Sequence, residues 1–231
     1  MNDFVLQVKN LDKSFGKSNI LQNINLAIGK GEVYGLIGEN GAGKTTLLRL
    51  IGGLMRPSGG SITIRTDKQF IGYMPQSCRF GDYQSVANTI RFFATLKKAD
   101  EGDSFALCEK LKLDTRKKVK FLSPGQQKKL QIVIAMAGEP DFYLLDEPTA
   151  GLDPRATFEM LEIIKSIHRH GKSMIVSSHI LSDMNDICTH IAIMEKGKIA
   201  YNQRLEDCDM KRLVLDRFIP FKDELLVEET I

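Results

Sequence analysis

One run of nine residues constrains this chain more than any other: Gly38-Glu39-Asn40-Gly41-Ala42-Gly43-Lys44-Thr45-Thr46. It follows the apolar run Glu32-Val33-Tyr34-Gly35-Leu36-Ile37 and precedes the periodic segment Leu47-Leu48-Arg49-Leu50-Ile51, so the order reads strand, phosphate loop, helix. The glycines let main-chain N–H groups turn inward around phosphate oxygens, and the N-terminus of the following helix adds partial positive charge. Lys44 is placed to reach the β- and γ-phosphates of a nucleoside triphosphate, and Thr45 to offer its hydroxyl to a Mg²⁺ ion bridging them. Gly38, Asn40, Gly41, Ala42, Gly43, Lys44, Thr45 and Thr46 are therefore the candidate nucleotide contacts in this half of the chain.

A chain of 231 residues with 42% hydrophobic and 26% charged content can bury a large core. Its net charge of +3 is small and its basic residues are scattered, which argues against a nucleic-acid partner. Cys78, Cys108, Cys188 and Cys208 are far apart, with no pair at metal-ligand spacing, so reduced thiols are expected. Met1-Asn2-Asp3-Phe4 opens no secretory signal, and no apolar stretch approaches the roughly 18 residues that span a bilayer. The chain is read as neither secreted nor membrane-spanning by itself.

Apolar and polar residues alternate over Phe4 to Val8 and again over Ile20 to Ile28, which predicts half-buried antiparallel strands joined by a loop at Asn10 to Ser18. After the phosphate loop and its helix come a turn at Pro57-Ser58-Gly59-Gly60 and short strands at Ser61 to Arg65 and Gln69 to Met74, stopped by Pro75. From Gln84 to about Ala137 the character is helical: Val86, Ile90, Phe93 and Leu96 at helix spacing, then Phe105 to Leu113, then Pro124 to Ala137. Strands and helices alternate thereafter: Phe142 to Leu145, Pro154 to Arg169, Ser173 to Ser177, Leu181 to Ile187, Ile191 to Met194. The fold class expected is α/β, a phosphate-loop NTPase core with a mostly parallel sheet, an N-terminal antiparallel β subdomain and an inserted α-helical subdomain. Residues 1–205 read as a single domain with the helical part at about 77–138, and 206–231 as a tail of unassigned structure. His168, His170 and His190 read as surface or helix-end residues, and the basic run Arg116-Lys117-Lys118-Val119-Lys120 as a solvated helix end.

The strand Phe142-Tyr143-Leu144-Leu145 ends in two adjacent carboxylates, Asp146 and Glu147, where ligands of open α/β sheets sit. Asp146 is placed to hold the Mg²⁺ shell, and Glu147 to orient or deprotonate the water attacking the γ-phosphate.

Leu122-Ser123-Pro124-Gly125-Gln126, followed after a helix by Leu144-Leu145-Asp146-Glu147-Pro148-Thr149-Ala150-Gly151-Leu152-Asp153, resembles the ATP-binding cassette family of ATPases over about Phe4 to Gly197. The resemblance implies that Ser123, Gly125 and Gln126 belong to a signature loop, Gln76 to a glutamine loop that also touches Mg²⁺, Asp153 to a loop crossing to a partner, and His179 to a switch at the γ-phosphate. It implies that Phe15 stacks on adenine, as a flat apolar ring suits a base. Pro124 stands where the family's usual Leu-Ser-Gly-Gly-Gln has glycine. Proline removes one N–H yet suits a first helical turn, so ATPase activity is still expected.

In that family the signature loop faces the γ-phosphate bound by another subunit. The resemblance therefore implies a second ATPase chain, with a homodimer the simpler arrangement because Glu147 and His179 are both present. It also implies an integral membrane permease as partner and a place on the cytoplasmic face of the membrane. The segments Ser178-His179-Ile180-Leu181-Ser182-Asp183 and Ile193-Met194-Glu195-Lys196-Gly197-Lys198-Ile199 are most similar to the drug and lantibiotic exporter branch. The other reading is a soluble cassette ATPase of assembly, repair or translation, although such proteins usually carry tandem cassettes or inserted arms.

Overall fold

Val33 to Ile37 carry no charged side chain, and a strand of that kind is stable only when both its faces are covered. The computed structural model describes residues 4–66 and 71–208. The described elements run β1 (Phe4–Phe15), β2 (Ser18–Gly29), β3 (Val33–Ile37), α1 (Lys44–Ile51), β4 (Gly59–Ile64), β5 (Gly72–Met74), α2 (Val86–Lys97) and α3 (Glu101–Lys110). They continue with α4 (Pro124–Met136), β6 (Phe142–Asp146), α5 (Pro154–Arg169), β7 (Ser173–Ser178), α6 (Leu181–Asn185), β8 (His190–Glu195) and β9 (Lys198–Arg204).

Two sheets result. The larger has the order β5-β6-β7-β3-β8-β9, parallel except for the β8–β9 hairpin, and the smaller is the antiparallel β2-β1-β4. All five residues of β3 are buried between β7 and β8. One apolar cluster joins the small sheet to α1 and one face of the large sheet through Leu26, Leu47, Leu48, Phe142 and Ile175. A second covers the other face with Met160, Ile164 and Ile167 of α5 and Met184 of α6.

The helices α2, α3 and α4 share a third cluster around Ile90, Cys108, Leu130 and Val133. Ile132 and Ala135 of α4 instead join the cluster under the large sheet. A helix packed on two cores has little exposed face, which is why α4 is buried without a break from Leu130 to Ala135.

Several boundaries differ from the sequence reading, each for a local reason. The expected loop at Asn10 to Ser18 is mostly strand: β1 runs to Phe15 and turns only at Gly16-Lys17. Register shifts after Val8, Leu11 and Lys13 break the alternation that would have revealed it, although Leu11 is fully buried. β9 is absent from the reading because it is a polar, half-exposed edge strand, joined to β8 by a tight turn with Lys196 and Gly197 both at positive φ.

α3 begins four residues before the expected Phe105, capped by Asp100, whose carboxylate accepts the Gly102 N–H at 2.6 Å. The basic run is not the end of an α-helix: Arg116 lies in a turn, Lys118 forms an isolated bridge with Ser85, and Val119–Phe121 make a 3-10 turn, with Val86 N–H donating to the Lys117 carbonyl and Val119 N–H to that of Gln84. His190 is buried, its ring stacked on Tyr34 at 4.7 Å and 4°, because β8 is internal. Of the expected tail, Leu205–Asp207 form a 3-10 turn, and residues 209–231 lie outside the described residues, as do Gln69 and Phe70 of the expected second short strand.

Phe142 is fully buried where β6 meets the α1 cluster. Phe142→Ala should lower the unfolding free energy by about 3–5 kcal/mol, read from urea denaturation.

Candidate active site

The phosphate loop is aimed by β3. Gly38 N–H donates to the Ser178 carbonyl at 3.4 Å, so the loop leaves the sheet beside the end of β7. A side chain at Gly38 would collide with the Met194 carbonyl, and this close backbone approach is what requires glycine there. The β8–β9 turn supports the loop from behind: Gly197 N–H donates to the Ala42 carbonyl at 3.0 Å, while its own carbonyl accepts Gln22 N–H at 2.9 Å.

The loop borders a cleft of about 500 Å³ lined by Ile20, Glu39, Asn40, Gly41, Gly43, Lys44, Thr45, Thr46, Gln76 and Glu147. Gly38 and Ala42 line a neighbouring hollow on the β8 side. Lys44 is buried, and its Nζ donates to the carbonyls of Gly38 at 2.6 Å and Glu39 at 3.2 Å. It also lies 3.3 Å from Glu147 Oε1, close enough for an ion pair though not aligned as a hydrogen bond.

Parallel pairing sets Asp146 opposite Ser177 and Ile37 opposite Ser178, so β6, β7 and β3 end at one level. Ser177 Oγ uses both of its capacities: it donates to Asp146 Oδ1 at 2.7 Å and accepts the Glu147 N–H at 2.9 Å. Asp146 is 0% exposed, and its Oδ2 has no hydrogen-bond partner among the described residues. A buried, unpaired carboxylate oxygen is costly unless a cation or water completes it, so the donor set suits a hard divalent ion.

Glu147, 2% exposed, has a left-handed backbone with φ 50°. Its Oε2 receives a hydrogen bond from His179 Nδ1 at 2.8 Å. Its carbonyl accepts from Lys128 Nζ at 3.0 Å, and the same ammonium donates to the Gln76 carbonyl at 2.9 Å. Burial pushes the Lys128 pKa down, while Asp146 and Glu147 pull it back up.

The remaining expected residues lie elsewhere. Phe15, Ser123, Gly125, Gln126 and Asp153 do not line the cleft. Phe15 ends β1 half-exposed, with Lys13 Nζ 4.7 Å from its ring centroid. Ser123 caps α4 in a reciprocal box: its Oγ accepts Gln126 N–H at 3.3 Å, and Gln126 Oε1 accepts Ser123 N–H at 3.1 Å. Pro124 occupies the first helical position, where no N–H is needed. Gly125 packs against α5, where an added Cβ would meet Ala156 Cβ at 3.3 Å. Asp153 caps α5 by accepting Ala156 N–H at 2.9 Å.

Sequence reasoning missed Ser177 and Lys128. Ser177 could have been found by aligning the ends of two parallel strands. Lys128 carries no such signal, since a lysine in the early part of a helix ordinarily reads as surface.

Residues 21–150 match the family model described as ABC transporter. The chain is 33% identical over 235 residues to an uncharacterized ABC transporter ATP-binding protein of Methanocaldococcus jannaschii, covering 98% of this chain and 88% of that one. It is 36% identical over 203 residues to the lantibiotic transport ATP-binding protein SrtF of Streptococcus pyogenes, covering 84% and 89%. A solved structure of an ATP binding subunit of an ABC transporter superposes with a TM-score of 0.79 at 28% identity, covering 88% and 91%.

Ser177→Ala removes a donor from one buried acid and an acceptor from the next residue's N–H. It should cost roughly 1–3 kcal/mol of stability, measured by chemical denaturation.

Proposed function

The chain belongs to the ABC transporter family, and from that premise we propose that it is the ATP-binding and ATP-hydrolysing subunit of an exporter, driving a separate membrane permease. One observation carries the reading: Lys44 and Glu147 line one cleft and His179 bonds the Glu147 carboxylate, whereas Ser123, Gly125 and Asp153 of the same chain neither line the cleft nor bond a residue that does so through its catalytic side chain. One chain then holds half of each site. A second copy, placed head to tail, supplies the signature loop to the other's γ-phosphate. A homodimer is the simplest form, because both halves would carry Glu147 and His179.

In the proposed cycle the entering triphosphate draws Lys44 away from the Gly38 and Glu39 carbonyls and from Glu147. Released from that ion pair and held by His179, Glu147 orients the attacking water and accepts its proton. Asp146, Thr45 and Gln76 are the residues that would hold Mg²⁺, the orphaned Asp146 Oδ2 being the best fit. When bound, the ion would neutralise charge on the β- and γ-phosphates. Phe15, at the end of β1, would meet the adenine. Residues 1–205 act in this reading as one cassette, with the helical part at about 77–138 carrying the signature loop.

No helix among the described residues is long and apolar enough to cross a membrane. In this reading the membrane is spanned by the separate permease, and the chain would sit against its cytoplasmic face. The export direction is supported by likeness to a Nod factor export ATP-binding protein of Cupriavidus metallidurans, 30% identical over 250 residues. No nucleic acid enters the reading.

Glu147→Gln should lower ATP turnover by about 10²–10⁴-fold with nucleotide affinity kept, as expected for loss of general-base action. Turnover equal to wild type would overturn the assignment. Mild detergent extraction of native membranes should bring the chain down with an integral membrane protein, and recovery only in a soluble complex would count against transport.

A further inference from the structure

Lys128 stands one helical turn beyond Gly125 on α4, and its side chain points away from solvent into the seam between α4 and the end of β6. Only 8% of it is exposed, and both hydrogen bonds of its Nζ end on main-chain carbonyls, those of Gln76 and Glu147. A buried ammonium is costly, so a lysine spent on two carbonyls contributes through what it fixes.

What it fixes is an unfavourable backbone. A non-glycine residue in the left-handed region costs about 1–2 kcal/mol and persists when its surroundings hold it. At Glu147 the N–H is held by Ser177 Oγ of β7 and the carbonyl by Lys128 of α4. The carboxylate's direction follows from that peptide. Through the same ammonium, the Gln76 segment is tied to α4.

We propose that Lys128 is a positioning residue for ATP hydrolysis: by bonding the Gln76 and Glu147 carbonyls it ties the helix that begins at Ser123 to the backbone that aims the Glu147 carboxylate. The inference rests on the reading of Glu147 as the group that orients water. Its consequence is mechanical. Because α4 is a rigid helix, any tilt imposed where Ser123 and Gly125 contact a partner nucleotide reaches Glu147 through a single ammonium three residues further on. Closure of the signature loop and alignment of the attacking water then become one event.

The test compares the full-length wild type with Lys128→Met, which keeps the stem and removes the donors, and Lys128→Gln, which keeps an N–H donor without charge. In Lys128→Met, kcat should fall at least about tenfold while affinity for a fluorescent ATP analogue stays within about threefold, and Lys128→Gln should recover part of the loss. A packing role alone would lower kcat, ATP affinity and the melting midpoint together with no recovery in Lys128→Gln, and that result would overturn the proposal. So would a Lys128→Met kcat within about twofold of wild type. If Lys128→Met does not fold, Lys128→Gln decides alone: a kcat at least about threefold below wild type at unchanged affinity supports the role, and a smaller change overturns it. Glu147→Gln separates the two levels of failure. Inactive Glu147→Gln beside normal Lys128→Met refutes only the role of Lys128, whereas active Glu147→Gln removes the hydrolytic reading and this inference with it.

Discussion

The structure depends on a shared finishing line. β6, β7 and β3 are parallel, hydrogen-bonded in sequence across the sheet, and aligned so that Asp146, Ser177, Ser178 and Ile37 lie at one end. Parallel strands buried on both faces cannot slip by a residue without turning buried side chains over, so this alignment is held by the whole core. The residues just past that line are then brought together whatever their separation in sequence: the phosphate loop after β3, Glu147 after β6, His179 after β7. The site is a property of strand register before it is a property of any loop.

Register also explains how so many buried charges are tolerated. Lys44, Asp146, Glu147 and Lys128 are all nearly inaccessible to solvent. Each is met by an oppositely charged group or by oriented main-chain and hydroxyl dipoles: Lys44 by loop carbonyls and Glu147, Asp146 by Ser177, Glu147 by His179, Lys128 by two carbonyls. Asp146 Oδ2 is the exception among the atoms of this cluster that bear on a metal. Glu147 Oε1, beside Lys44, likewise accepts no hydrogen bond, and a polar network with acceptors unfilled is expensive as a structural device but reasonable where a ligand arrives to fill it.

Long periodic elements were legible in the sequence and short or polar ones were not. The helix Pro154–Arg169 was readable to the residue because Asp153 and Pro154 mark its start and an apolar stripe runs its length. β6 was readable from four apolar residues in a row, Phe142 to Leu145, and the strand runs one residue further to Asp146. β9 was invisible because only Ile199 and Tyr201 pack inward on an otherwise polar edge strand, and the extension of β1 was masked by bulges that interrupt period two. At the site, the glycine loop and the carboxylate pair announce themselves by residue type. Ser177 and Lys128 do not, since their role comes from partners 30 and 19 positions away that only the folded sheet brings near.

Pro124 illustrates how a departure from a motif can leave its helix cap intact. The first four N–H groups of an α-helix have no partner within the helix. At α4 the third helical position, Gln126, gives its N–H to Ser123 Oγ, and the first is proline and has none to give. Gly125 at the second position keeps an N–H that its own helix does not use. The capping bond employs Ser123 Oγ as an acceptor, so the hydroxyl proton is still free to donate. Both donors lie at a helix N-terminus, the end that favours an anion. Replacing glycine by proline removes a donor from the turn, and it preorganises the turn that presents the other two.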